Sequence, residues 1–262
     1  MKSSKLKHYL IIAIVMLFLL LPLLGITVYS FVNEWASTIL PSGFTLHWYK
    51  VLWSNPLFIT AFEHSIWICI ASIVFSVLFV TPAIFVVHYY FPKFEKYMEI
   101  LVLLPFALPP VVASIGLLNL YSNGPFTLVG SPWMLILIYV TIALPYIYRS
   151  IINNLHGINV HELLDAAHLL GSSTFRAFFE IVVPMLKKGL FISVFLSFSI
   201  LIGEFVYAQM LVGSAYETLQ VFIYNEKMGT SGHYQSAIVI SYFAFTLLIT
   251  LFATLLTNRK KS

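Results

Sequence analysis

Charge is scarce in this 262-residue sequence: Asp, Glu, Lys and Arg make up 9% of it, against 60% apolar residues. A water-soluble domain carries about 25% charged residues to cover its surface, so the mean hydropathy of +0.93 excludes that class. Cysteine is nearly absent too. Cys69 stands alone inside an apolar run, which rules out a disulfide framework and a Cys-rich metal site and leaves a small buried hydrophobe as its reading. No internal repeat is evident between the two halves, as a self-contained channel or secondary transporter would usually carry. Nor is there the clustered nucleophile and base at one depth that an intramembrane enzyme would need. The net charge of +4 is spread over short segments between apolar runs rather than gathered on one face, which argues for a bilayer and against nucleic acid.

What remains is a series of apolar runs near the length of about 20 residues that spans a bilayer as a helix. The first is Tyr9 to Asn33. Its length favours an uncleaved anchor over a signal peptide, although Val28-Tyr29-Ser30 is a passable cleavage site. Glu34 to Pro56, with Trp35, Trp48, Tyr49, Trp53, Pro41 and Gly43, reads as an interfacial loop. A second span runs from about His64 to Val87, followed by a polar turn with His88, Lys93, Glu95 and Lys96. The uncharged stretch between Glu99 and Arg149 accommodates a third span at Met98–Leu120 and a fourth at Pro132–Tyr148, joined through Tyr121-Ser122-Asn123-Gly124-Pro125. A polar, amphipathic segment fills Arg149–Lys188. The fifth span is expected at Gly189–Leu211, the sixth at Tyr234–Leu256, and Arg259-Lys260-Lys261 ends the chain. The expected fold is therefore all-α and polytopic, with six spans.

Lysine and arginine orient these spans. Twelve of the 14 fall in the N-terminus, the second-to-third connection, Arg149–Lys188 and the C-terminus; Lys50 and Lys227 fall on the other side. Basic short loops stay in the cytoplasm, which places both termini there. Prolines at 22, 82, 105, 109, 110 and 145 interrupt the spans. Such breaks persist in a bilayer where neighbours or a lined cavity take up the freed backbone groups.

One cytoplasmic connection is unlike the others. Asn159 can cap a helix, with Glu162 at the capping-box position. Leu163, Ala166, Ala167 and Leu170 then form an apolar stripe, Gly171 stops the helix, and Ser172 or Ser173 opens a second helix that reaches Pro184. His161, Glu162 and His168 fall short of the metalloprotease zinc pattern, because Asp165 stands where the second histidine is required. No metal site is expected.

Asp165-Ala166-Ala167, three residues, Gly171, nine residues, then Ile181-Val182-Val183-Pro184 resembles the EAA motif of ABC importer permeases, with Asp for Glu and Val for Leu. Within that family the chain is most similar to the second permease of spermidine/putrescine importers. The similarity is carried by Leu46-His47-Trp48-Tyr49, His64-Ser65-Ile66, Leu144-Pro145, Leu155-His156-Gly157 and Gly213 to Tyr224. Permeases for iron(III), 2-aminoethylphosphonate and inorganic oxyanions share much of the pattern.

The resemblance implies a type I importer permease of the MetI-like fold. It would comprise one transmembrane domain over 1–262, a core over about 60–256 and a coupling segment at 159–184. Asp165, Ala166, Ala167, Gly171, Ile181 and Pro184 would couple it to a cytoplasmic ATPase dimer. The chain has no G-x-x-x-x-G-K-[ST] loop, so it would be no enzyme and hold no cofactor, ATP residing on the partner. A second permease would share the path, and an external binding protein would deliver the cargo. Glu204, the only formal charge well inside an expected span, is the candidate counter-charge for a cationic cargo, about 10 Å below the outer end at ~1.5 Å per residue. Tyr207 and Gln209 are candidate path-lining groups. Polyamine permeases of the resembled type tend to carry acidic residues together, where this chain has Gly203-Glu204. Glu63 and His64, at the mouth of the second span, are expected to be structural.

Overall fold

A computed structural model describes residues 2–35, 41–123, 127–226 and 231–258. Lys227, Gly124-Pro125 and the basic tail from Arg259 lie outside the described residues. The described chain is a succession of helices: α1 (Lys2–Ser30), α2 (His47–Trp53), α3 (Pro56–Tyr90), α4 (Glu95–Leu103), α5 (Pro110–Tyr121), α6 (Pro132–His156), α7 (Val160–Leu169), α8 (Thr174–Ala177), α9 (Val183–Leu201), α10 (Val206–Leu211), α11 (Leu219–Glu226) and α12 (Gly232–Asn258). Among the described residues, five helices are long and apolar enough to cross a bilayer, and six if the bent pair Pro92–Ala107 and Pro110–Tyr121 is one span. The fold of the described residues is all-α, with the several long apolar helices of a polytopic membrane protein.

The chain divides into two compact units, Met1–Ile59 with Phe222–Leu247, and Thr60–Val221 with Leu248–Ser262. In the first unit, α1 presents large apolar side chains between residues 9 and 21 that are 44–76% exposed. Such a surface suits lipid or a partner helix rather than water. The end of α1 is tied down more firmly. Ser30 is buried and shares a 2.6 Å hydrogen bond with the Tyr49 hydroxyl, and Trp48 Nε1 donates to the Val32 carbonyl at 3.0 Å. Tyr29 stacks on His233 with ring centroids 4.0 Å apart. The segment expected as a loop therefore contains α2, whose aromatic residues seal the end of α1.

The second unit holds the candidate sites. Its central pair is α6 and α9. The buried face of α9 is Leu186, Gly189, Ser193, Ser197 and Leu201, and its glycine and serines recur every four residues. Small residues at that spacing let helix backbones approach closely in a bilayer. Here the Ser150 hydroxyl donates to the Gly189 carbonyl at 2.7 Å, and a Cβ on Gly189 would run into the Asn154 amide. Buried Ser72 of α3 adds a bond to the Ile136 carbonyl of α6 at 3.3 Å.

Three expected boundaries are corrected. The third span is not one helix over 98–120: α5 leaves the 92–107 segment at 91°. Residues before proline are driven to extended backbone, and Leu108 (ψ 130°) and Pro109 (ψ 135°) adopt it, so the chain turns before Pro110 opens α5. The fourth span does not end at Tyr148 but continues to His156. The fifth is displaced most. A continuous helical path runs from Thr174 through a π turn at Phe178–Val182 to Leu201, and the chain then breaks at 202–205 before α10. Pro184 has no N–H for the Glu180 carbonyl, and the wider π turn absorbs that missing bond without ending the helix.

Candidate functional site

The sequence around the EAA-like motif folds as a capped helix joined by a tight turn to a second one. The Asn159 side chain accepts the Glu162 N–H at 3.4 Å, opening α7. At the other end Gly171 takes φ +81°, its N–H bonds to the His168 carbonyl at 2.9 Å, and the Ser172 N–H bonds to the Ala167 carbonyl at 2.9 Å. This is the paired bonding of a Schellman stop, which favours glycine at the left-handed position. Ser173 then caps α8 by accepting the Arg176 N–H at 3.3 Å.

The face that α7 buries differs from the expected stripe. Val160, Leu164 and Ala167 are buried, Leu163 is half-buried, and Asp165 and Ala166 are exposed. Leu170 is 89% exposed, as is Leu169, and Phe175 across the turn is 75% exposed. Neighbouring contacts join this segment to α3: exposed His161 of α7 lies against Tyr89 (4.8 Å between centroids), and Phe178 of the π turn packs on Phe85 (4.6 Å). Ile181 and Pro184 are half-buried at the π turn and just after it. A rigid, well-anchored turn thus displays two leucines, a phenylalanine and Ala166 to the outside. His168 does not join His161 in a metal cluster; its Nε2 lies 3.1 Å from the Thr174 hydroxyl.

The second feature is a cavity of about 660 Å³ in the elbow between the bent span and α6. Its wall is apolar, including Phe106, Leu108, Leu117 and Leu137, and its polar groups include Thr141, Glu204 and Tyr207. Among the described residues, no lysine, arginine or histidine lines it. Glu204 is not inside a continuous helix as expected but in the break after α9. One carboxylate oxygen accepts the Tyr207 N–H at 2.8 Å; the other accepts the Ala208 N–H at 3.1 Å and the Tyr139 hydroxyl at 3.2 Å. It therefore closes the first turn of α10, where anionic groups are favoured. The same side chain lies in the cavity wall. Gln209 is not among the lining residues. His64 and Ser65 are structural: His64 stacks on Tyr216 at 3.8 Å, with Nδ1 3.0 Å from the Glu217 carbonyl, and Ser65 accepts the Leu219 N–H at 2.7 Å. Glu63 is exposed.

Reasoning from sequence missed two parts of this arrangement. The capping role of Glu204 was hidden because the hydropathy of 189–211 masks the break at Gly203-Glu204. The exposed Leu169 was missed because the helical phase of α7 was set from Leu163 instead of Val160.

The sequence profile of the family described as binding-protein-dependent transport system inner membrane component matches residues 81–262. The chain is 28% identical over 218 residues to the spermidine/putrescine transport system permease protein PotC of Escherichia coli strain K12, covering 82% of this chain and 80% of that one. It is 26% identical over 235 residues to the putative 2-aminoethylphosphonate transport system permease protein PhnV of Salmonella typhimurium strain LT2, covering 88% and 86%. In three dimensions it resembles a bacterial ABC transporter involved in the import of the acidic polysaccharide alginate, with a TM-score of 0.76, 13% identity and coverage of 100% and 97%.

Proposed function

Because the chain belongs to the family of binding-protein-dependent transport system inner membrane components, we propose that it is the permease subunit of an ATP-driven importer whose cargo is a polyamine. It forms the translocation path with a second, related permease, receives cargo from an external binding protein, and takes mechanical work from a separate cytoplasmic ATPase dimer. Both termini and the α7 turn lie in the cytoplasm, in keeping with the 12 basic residues assigned to that side.

The observation that carries the coupling role is the exposure of Leu169, Leu170 and Phe175 on a turn whose other face is locked to α3. Exposed apolar side chains on a rigid support suit a groove in a partner. Asp165, Ala166, Ala167 and Gly171 form and stop that helix, and Ile181 and Pro184 pass its displacement into α9. The cavity supports the cargo. An apolar wall with one carboxylate suits an alkyl chain bearing ammonium groups, and the absence of a cationic group among its lining residues disfavours sulfate-like anions. In this reading Glu204 and Tyr207 line the path.

Uptake of labelled spermidine by proteoliposomes holding the assembled importer, with ATP at the motor face, tests this reading. ATP-dependent accumulation that falls with Glu204→Gln is expected. Accumulation of 2-aminoethylphosphonate in place of spermidine would overturn the cargo and leave the machinery standing.

A further inference from the structure

His88, Glu95 and His156 come from three separate elements: the end of α3, the first residue of α4 and the end of α6. The fold brings one ligating atom of each to within 4.8 Å of the others. His88 Nδ1 lies 2.5 Å from one oxygen of Glu95, and His156 Nε2 lies 3.0 Å from the other. The Glu95 backbone is held in turn, because its carbonyl accepts the Tyr148 hydroxyl at 3.2 Å. The His88 and Glu95 side chains are only 15% and 20% exposed, whereas His156 is 55% exposed.

We propose that these three residues form a binding site for a divalent transition-metal ion of the zinc class. Two imidazoles and one carboxylate are a donor set suited to such ions, and three protein ligands leave a fourth position for water. Glu95 and His156 themselves line an adjoining cavity of about 450 Å³, together with Lys96, Glu99, Arg149 and Asn153. The Arg149 guanidinium lies 3.8 Å from Glu99, which offsets its charge beside the ion. Metal–ligand bonds of about 2.0–2.2 Å in a tetrahedron set ligand atoms about 3.4 Å apart, so on binding the His88–Glu95 pair opens and the two imidazoles draw together. The bound ion staples the ends of α3, α4 and α6 beside α7, since Tyr89, next to His88, lies against the His161 ring.

The test is calorimetric titration of zinc chloride into the full chain, purified in detergent with any co-purifying subunits, through a tag free of histidine, and stripped by a chelator. One zinc ion per copy is expected with submicromolar Kd at neutral pH. His156→Ala should weaken it at least 100-fold, and His156→Asp, which restores a ligand, should recover most of the loss. X-ray absorption of the wild-type complex should report two imidazoles on the metal. A wild-type stoichiometry equal to that of the combined His88→Ala and His156→Ala variant would overturn the site. Equal affinities for the Ala and Asp variants would overturn it as well, and this comparison holds even if the combined variant fails to fold.

Discussion

The Tyr139 hydroxyl donates to the Glu204 carboxylate across 3.2 Å, joining the middle of α6 to the break that precedes α10. The same carboxylate accepts the first free N–H groups of α10. One acidic side chain therefore closes a helix end, cross-links two elements and lines the cavity.

Tyr139→Phe removes the one side-chain donor shown on this carboxylate and leaves the backbone bonds in place. A hydrogen bond to a charged group contributes about 1.5–3 kcal/mol, so the variant should assemble but melt several degrees lower, as read by fluorescence-detected size exclusion. Glu204→Gln keeps an acceptor for the helix end but removes the charge. Its uptake of a cationic cargo should fall about tenfold, equivalent to about 1.4 kcal/mol, with assembly largely retained. Unchanged transport kinetics would remove Glu204 from the path.

Gly171 has nothing within 4 Å of where a Cβ would stand, but its φ is +81°. The cost of substitution is therefore backbone strain rather than collision, about 1–2 kcal/mol for most residues and less for asparagine. Gly171→Val should uncouple ATP hydrolysis from transport while the protein still inserts. Gly171→Asn should retain most coupling. Equal transport by the two variants would show that the left-handed turn is not needed.

Gly189 is the opposite case, since added atoms meet the Asn154 side chain and the Ser150 carbonyl. Gly189→Leu should separate α6 from α9, at a cost on the order of 1–3 kcal/mol for overpacking, and lower the yield of folded complex. Lys187→Leu, on the exposed side of the same turn, should leave that yield unchanged.

Five spanning helices, and a sixth where the bent pair counts as one span, were legible because about 20 apolar residues are needed to cross the hydrocarbon. The α7 cap and stop were legible because Asn159 and Gly171 act through backbone rules that operate locally. The ends of spans were not. The helix from Thr174 to Leu201 begins among polar residues, because once a π turn has absorbed Pro184 nothing in Lys187 or Lys188 stops a helix. The close approach of α6 and α9 was written in Gly189, Ser193 and Ser197, a spacing visible in sequence but meaningful only when its partner is known. The clustering of His88, Glu95 and His156 depends on tertiary structure alone, since 61 residues separate the last two.

Leu170→Glu places a charge on a side chain that touches little of its own protein. Stability should change by no more than about 0.5 kcal/mol, whereas ATPase stimulation by cargo-loaded binding protein should be lost. Loss of folding instead would mean that Leu170 packs internally.

Docking of the α7 turn onto a motor is tested most directly by cross-linking from Leu170→Cys in the assembled transporter in its native membrane. A short bifunctional reagent should join this position to the ATPase subunit, with a yield that changes when ATP is added. Labelling of the same cysteine by an impermeant thiol reagent applied from outside intact cells, with no cross-link to an ATPase, would contradict it.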